Sequence, residues 1–282
     1  MNNKIALVIE GGGFRGMYSA GILDYFLENN IEFPYAIGVS MGACNGVNYI
    51  SKQIGRNLSV PYTYINDKRY MSYQRLFVIG ELFGMDFIFG DVPKKLIPFD
   101  FETFQKSPQK FIAVATDCNT GEPVYMNEFS SDDLLMALKA STSLPFASKM
   151  ICYDNKELLD GGISDPIPVN KALRDGNEKV VVILTQPKEY RKKPSSFNLL
   201  GTLKYIKYPK LIQALNDRYK VYNDTLDQIE ELERQGKAFV IRPKRTLPIN
   251  RTEKNKEKLK AAFDIGYKQS NEFVDELRLF MS

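Results

Sequence analysis

Lys4-Ile5-Ala6-Leu7-Val8-Ile9-Glu10, followed at once by Gly11-Gly12-Gly13-Phe14-Arg15-Gly16, is the stretch on which the fold turns. Its apolar run is continuous rather than alternating, which suits a strand covered on both faces. After the glycines the spacing predicts a helix over about Met17 to Glu28, with Ala20, Leu23 and Leu27 on one face. The unit then repeats: Tyr35 to Val39 reads as a second short strand, and Met41 to about Lys52 as a second helix. Further strands are expected at Phe111–Thr116, Val124–Met126 and Val180–Thr185, the first two joined by a turn through Asn119-Thr120-Gly121-Glu122. Strands alternating with helices predict an α/β fold, a mostly parallel central sheet flanked by helices.

The last third reads differently. Leu211, Leu215, Tyr219, Tyr222, Leu226, Ile229 and Leu232 recur at three- or four-residue spacing, a helix that Gly236 can close. Ala238-Phe239-Val240-Ile241 reads as a last strand, and a second helix is expected over about Glu253 to Phe280 with Thr252 as its N-cap. We therefore expect the α/β part over 1–187, and over 188–282 a mainly helical C-terminal extension packed on the same domain. Residues 70–100 stand apart, with Leu76, Phe77, Leu82, Phe83, Phe87, Ile88 and Phe89 crowded between glycines.

Composition narrows the function. With 44% hydrophobic and 26% charged residues the chain reads as an ordinary soluble globular protein. No apolar run approaches the ~18 residues of a membrane-spanning helix. The N-terminal run is too short for a signal peptide and Glu10 ends it, so a cytoplasmic location is expected. Cys44, Cys118 and Cys152 are odd in number and scattered, without a metal-ligand or redox motif. Together with the absence of histidine, this leads us to expect no metal and no cofactor. The net charge of +4 is modest but uneven. Residues 1–187 carry 17 Lys and Arg against 21 Asp and Glu, whereas 188–260 carry 19 against 9. That excess reads either as a solvated helical face or as a surface leaning on anionic lipid. No zinc-finger, helix-turn-helix or RNA-binding signature supports a nucleic-acid partner.

Gly38-Val39-Ser40-Met41-Gly42 fits Gly-x-Ser-x-Gly between a strand and a helix. In a nucleophile elbow, small flanking residues such as Gly38 and Gly42 permit the tight backbone that exposes the serine. The alternative is an inert serine in a glycine-rich turn. A hydrolytic serine needs a base, and histidine is excluded by composition, so a carboxylate or a lysine must serve if Ser40 is catalytic. Gly11, Gly12, Gly13 and Gly16 expose backbone N–H groups at a helix N-terminus, suited to an oxyanion. The same glycines fit a dinucleotide-binding loop, but the acidic residue required at the end of the second strand is absent. Leu158-Leu159-Asp160-Gly161-Gly162 ends an apolar strand in a carboxylate on a turn, where little shielding is expected, or else is a plain Asp-Gly hairpin.

These residues are where the chain resembles a known family. Gly-Gly-Gly-x-Arg-Gly at 11–16, Gly-x-Ser-x-Gly at 38–42 and Asp-Gly-Gly at 160–162 occur in the order found in patatin-like phospholipases. Ala140-Ser141-Thr142-Ser143-Leu144-Pro145 is similar to that family's Ala-Ser-x-x-x-Pro segment. Asp160 to Ile163, with Pro166 and Pro168, resembles the segment around its aspartate, and Asp86-Phe87-Ile88-Phe89 resembles bacterial cytoplasmic members. The resemblance covers most of residues 4–185 and implies a three-layer patatin-like fold and a lipid acyl hydrolase using a Ser-Asp dyad. Ser40 would be the nucleophile and Asp160 the base. The oxyanion hole would comprise Gly11, Gly12, Gly13, Arg15 and Gly16, with Arg15 adding charge or fixing the loop; a surface ion pair is the plainer reading of Arg15. Burial would raise the Asp160 pKa, with Arg15 or glycine amides opposing it.

The expected substrate is an acyl lipid or phospholipid. Residues 70–100 are candidates for an acyl-binding wall or cover, or for plain core. A basic 188–260 segment on the same face would give peripheral contact with an anionic inner-membrane surface. A thioesterase or acyltransferase using the same dyad, and a catalytically silent binding protein of the same fold, are the alternatives.

Overall fold

The computed structural model describes residues 4–127, 129–194 and 203–282. In chain order the elements are β1 (Ile5–Ile9), α1 (Met17–Glu28), β2 (Tyr35–Val39), α2 (Met41–Ile50), α3 (Arg56–Tyr64) and α4 (Tyr73–Ile79). A π-helix over Phe87–Leu96, α5 (Phe101–Lys106), β3 (Lys110–Asp117), β4 (Pro123–Met126) and α6 (Ser131–Ser141) follow. The chain continues through β5 (Ile151–Tyr153), β6 (Lys156–Asp160), α7 (Val169–Arg174), β7 (Lys179–Ile183), α8 (Pro209–Arg234), β8 (Ala238–Ile241) and α9 (Lys256–Met281).

Among the described residues the strands form one eight-stranded sheet, hydrogen-bonded in the order β5-β6-β3-β2-β1-β7-β8, with β4 also on β3. The five strands β3-β2-β1-β7-β8 run parallel to their neighbours, while β4, β5 and β6 make antiparallel pairs. The period of two along β1 sorts its side chains between layers. Ile5, Leu7 and Ile9 enter a core with residues of α1, α2 and α9, and Ala6 and Val8 enter one with residues of α7 and α8. This is the expected α/β architecture with a mostly parallel sheet between helices.

Two features depart from the sequence reading. Helix α1 is buried from Met17 to Phe26 rather than along one stripe, because α9 covers its outer side. The two helices touch backbone to backbone. A Cβ on Gly21 would lie 2.1 Å from the Phe263 carbonyl oxygen, and one on Gly266 would lie 2.0 Å from that of Tyr18. The N-cap of α9 is Asn255, not Thr252: its side chain accepts from the N–H groups of Glu257 and Lys258. Gly236 adopts the left-handed conformation just past α8, as its position suggests.

The detail of the sheet that positions the site lies on β3. Ala113 pairs with both Gly38 of β2 and Met126 of β4, so β2 and β4 occupy opposite edges. Ala115 pairs with both Val124 of β4 and Asp160 of β6, which puts β6 on the edge opposite β4 and therefore on the edge β2 occupies. The two strands arrive from opposite directions. The last residue of β2, Val39, is opposite Val114, and the last residue of β6, Asp160, is opposite Ala115. Adjacent residues of β3 thus bring together the ends of two strands some 120 positions apart in sequence.

Candidate active site

Ser40 occupies the one residue between β2 and α2 and holds φ 55°, ψ −126°. A side chain in this left-handed region costs roughly 1–3 kcal/mol, which the surroundings must hold in place. Its N–H donates to Ser141 Oγ at 2.9 Å, and its carbonyl accepts from Ala43 and Cys44 at 3.0 and 3.2 Å. Gly38 and Gly42 are required by close approach. A Cβ on Gly38 would come within 2.6 Å of the Gly42 carbonyl oxygen, and one on Gly42 within 2.5 Å of that of Ile9. The turn therefore sits directly on the end of β1, beside the glycine loop.

Asp160 is buried, 3% exposed, not lightly shielded as the turn sequence suggests. The chain leaves it through a short helical turn at Gly161–Ile163, not a hairpin. Its N–H donates to the Ser143 carbonyl at 2.8 Å, its carbonyl accepts from Thr116 Oγ1 at 3.0 Å, and Oδ1 accepts from the Gly162 N–H at 2.8 Å. Burial raises the carboxyl above the ordinary carboxylate range; the Ser40 hydroxyl, the Arg218 charge and the Gly162 amide oppose that. Arg218, rather than the expected Arg15, is the leading cationic contribution. Ser40 is close enough to favour the carboxylate, yet Oδ2 has no partner of full hydrogen-bond geometry.

The segment Ala140–Pro145 acts as a bracket for both groups: Ser141 holds the Ser40 amide and Ser143 the Asp160 amide, and both serines are fully buried. The sequence marked this segment only by resemblance; its holding role required the tertiary structure.

Gly11, Gly12, Gly13, Arg15, Ser40 and Asp160 line one narrow cleft of about 30 Å³. The Gly11 and Gly12 N–H groups find no acceptor among the described residues. A Cβ at Gly11 would fall 2.9 Å from the Val39 carbonyl oxygen and 3.1 Å from Ser40 Cβ, so the loop backbone lies against the serine. Gly13 has φ +58° and abuts the Arg251 carbonyl. Gly16 does not line the cleft. It packs on Met41, and its carbonyl accepts from Asn45 Nδ2 at 2.7 Å, so its role is contact between α1 and α2. Among the described residues Arg15 is in no ion pair, and its buried Nε lacks a partner. Burial, then the nearby Arg251 charge, lower its pKa.

Two unlike spaces meet at Ser40. One is an apolar cavity of about 130 Å³ with Val47, Phe83, Ile88, Phe89, Leu134 and Leu138 among its walls. Residues 70–100 divide accordingly: Phe83, Ile88 and Phe89 line this cavity, whereas Leu82 and Phe87 are buried in the core. The other space is the cleft with Asp160, which also takes in Glu10, Lys192, Arg218, Tyr222 and Arg251. The sequence reading names Glu10 only as the end of an apolar run and Tyr222 only as a helix-face residue, and none of the five as a site residue; they share no motif, and only Arg218 and Tyr222 lie on one element, α8. Glu10 is held by the Thr185 N–H at 2.5 Å, Thr185 Oγ1 at 3.0 Å and Tyr222 Oη at 2.8 Å.

A sequence model described as patatin-like phospholipase matches residues 7–173, more than half of the chain. The chain belongs to the patatin-like phospholipase family. A second family model, described as a domain of unknown function, matches residues 208–282. The chain is 29% identical over 250 residues to the uncharacterized protein YjjU of Escherichia coli (strain K12), covering 86% of this chain and 70% of that one. It is 27% identical over 199 residues to the probable lipid hydrolase 463L of Invertebrate iridescent virus 6, covering 61% of this chain and 64% of that protein. Among solved structures it is similar to VipD from Legionella pneumophila, with a TM-score of 0.44 and 13% identity over 97% of this chain and 67% of that one.

Proposed function

We propose that this protein is a serine lipid acyl hydrolase of the phospholipase A or lysophospholipase kind. In this reading Ser40 is the nucleophile and Asp160 the base. Asp160 takes the Ser40 proton as Oγ attacks the ester carbonyl, and the Gly11 and Gly12 amides hold the oxyanion. Collapse expels the alcohol, which takes the proton from Asp160 and leaves the acyl group on Ser40. Water, deprotonated by the same carboxylate, then attacks the acyl-enzyme and releases the fatty acid, with the proton returning to Ser40. The observation that carries the reading is the meeting of β2 and β6 on adjacent residues of β3, with an apolar cavity on one side of the serine. Family membership and a relative named as a lipid hydrolase support it.

Residues 1–187 would carry the chemistry and 188–282 would extend the same domain. The exposed side chains of α4, with Phe77 87% and Val78 75% exposed, favour peripheral contact with lipid. No helix among the described residues is long and apolar enough to cross a membrane. Three free cysteines fit a reducing cytoplasm.

A fluorophosphonate probe tests the chemistry. The wild type is expected to label at Ser40, Ser40→Ala not at all, and Asp160→Asn at a strongly reduced rate. Full labelling and activity of Asp160→Asn would remove the dyad, and equal near-blank activity of wild type and Ser40→Ala would make this a silent binding protein. A panel of p-nitrophenyl esters, glycerolipids and acyl-CoA thioesters separates lipase from thioesterase or transferase.

A further inference from the structure

The cleft at Ser40 opens into a bowl of about 570 Å³ that shares Tyr190, Lys192, Arg218 and Arg251 with it, Arg251 also reaching the wall of the apolar cavity. Four cations (Arg15, Lys192, Arg218 and Arg251) face this path against the carboxylates Glu10 and Asp160, with Glu189, Arg191 and Lys193 around the bowl. Glu10 is already engaged by Thr185 and Tyr222. None of the four cations has a carboxylate within 4 Å among the described residues. Arg191, which also lines the bowl, does, through Asp227 and Glu230.

Three of the four are nevertheless held in place. Arg218 donates from Nε to the Gly162 carbonyl, two residues past the strand end that carries Asp160. The backbone at Arg251 accepts the Phe14 N–H at 3.2 Å and lies against Gly13. The main chain of Lys192 exchanges hydrogen bonds with Asn223 on α8 at 2.8 and 3.0 Å, and its ammonium sits 4.6 Å over the Tyr222 ring. Burial and mutual repulsion lower the pKa of Arg15 and Arg218, and push Lys192 down to about 7. Like charges gathered in partly dry surroundings repel one another unless a counter-charge joins them.

We infer that Lys192, Arg218 and Arg251, with Arg15, form a phosphate-binding subsite on the leaving-group side of Ser40. Three of the four lie beyond the family match at 7–173, and Arg218 and Arg251 lie in the 208–282 segment whose function is unassigned. The C-terminal extension therefore does more than buttress the fold: it supplies the group that selects a phosphorylated leaving group. Guanidinium forks suit phosphate oxygens, and basic groups outnumber carboxylates along this path, which suits an anionic phosphate.

The assignment of the subsite to the leaving group rests on the Ser40–Asp160 reading; the binding itself does not. Two measurements keep them apart. The first is equilibrium binding of an ether analogue, 1-O-octylglycerol 3-phosphate, against neutral 1-O-octylglycerol and against inorganic phosphate. The phosphorylated ether should bind the wild type at least 10-fold more tightly than the neutral ether. Arg251→Gln and Lys192→Gln should each reduce that preference by about 10-fold, the scale of one charge-assisted hydrogen bond. Arg234→Gln, at an exposed ion pair on α8, should leave it unchanged. Tighter binding of the phosphorylated ether than of inorganic phosphate assigns the site to a head group, and equal binding assigns it to free phosphate; either outcome supports a phosphate subsite. No preference for the phosphorylated ether in the wild type, or a preference that survives in Arg251→Gln and Lys192→Gln, overturns it.

The second measurement is the ratio of kcat/KM for octanoyl glycerol 3-phosphate over octanoyl glycerol, which should fall in the same two variants. A protein that binds the phosphorylated ether but never labels with fluorophosphonate would keep the subsite and lose the hydrolase. One that labels at Ser40 but ignores the phosphate would do the reverse.

Discussion

Ser40 carries a Cβ at φ 55°, ψ −126°, a backbone conformation in which glycine is at ease and other residues are strained. Comparing Ser40→Ala with Ser40→Gly isolates that strain, because both variants lack the hydroxyl and differ only in the Cβ. Relief of left-handed strain is worth about 1–3 kcal/mol. The larger backbone freedom of glycine in the unfolded chain takes back about 0.5–1 kcal/mol. The net expectation is that Ser40→Gly is more stable than Ser40→Ala by roughly 0–2.5 kcal/mol, with a midpoint of about 1.2 kcal/mol. At about 2 °C per kcal/mol for a domain of this size, that midpoint corresponds to ~2–3 °C in Tm. The assay is denaturant unfolding of both variants with matched m-values, with thermal melts as a check. If Ser40→Ala equals or exceeds Ser40→Gly in stability, the Cβ is not strained and the elbow geometry is wrong.

Ser141→Ala leaves the buried Ser40 N–H without its acceptor, a loss of about 1–3 kcal/mol, and should slow fluorophosphonate labelling while Ser141→Thr restores both. Undiminished labelling would show that the bracket does not position the serine. Because burial raises the Asp160 pKa in the folded protein, the protonated form is favoured by folding and ionisation costs stability above that raised value. Asp160→Asn should therefore be more stable than wild type near neutral pH, and the difference should shrink as pH falls and the wild-type carboxyl takes up its proton. In unfolding measured across pH 4–8, a difference that is constant with pH would contradict this.

The parts of the fold legible in the sequence are those whose constraint is local. The unbroken apolar run of β1 shows burial on both faces, and Gly38 and Gly42 show where backbones collide. Strand β5 has only three residues, and the π-helix at Phe87–Leu96 contains Pro93 and mixed polarity, so neither has a readable period. The capping of α9 was misread because Thr252 and Asn255 both suit an N-cap, and the choice depends on where the first turn begins. The burial of Asp160 was invisible because its cover comes from elsewhere, from the 140–145 bracket and from Arg218 on α8. The basic excess over 188–260 was visible only as a sum. Part of it lies on the surface, as in the exposed pair of Arg234 and Glu231, while Lys192, Arg218 and Arg251 turn toward the cleft.

The shared edge of β3 has a kinetic consequence. One peptide unit of that strand separates the positions opposite Val39 and Asp160, so the two groups meet only after β2 has paired with β3 across some 75 residues and β6 with β3 across some 45. Ordering so distant a pair is slow compared with forming the β1-α1-β2 unit, whose contacts are near in sequence. During refolding of the proposed enzyme, helical signal should return before Ser40 becomes reactive. A covalent probe added at successive times would then act as a clock for the joining of β2 and β6 on β3, reporting that step of sheet assembly through a chemical event.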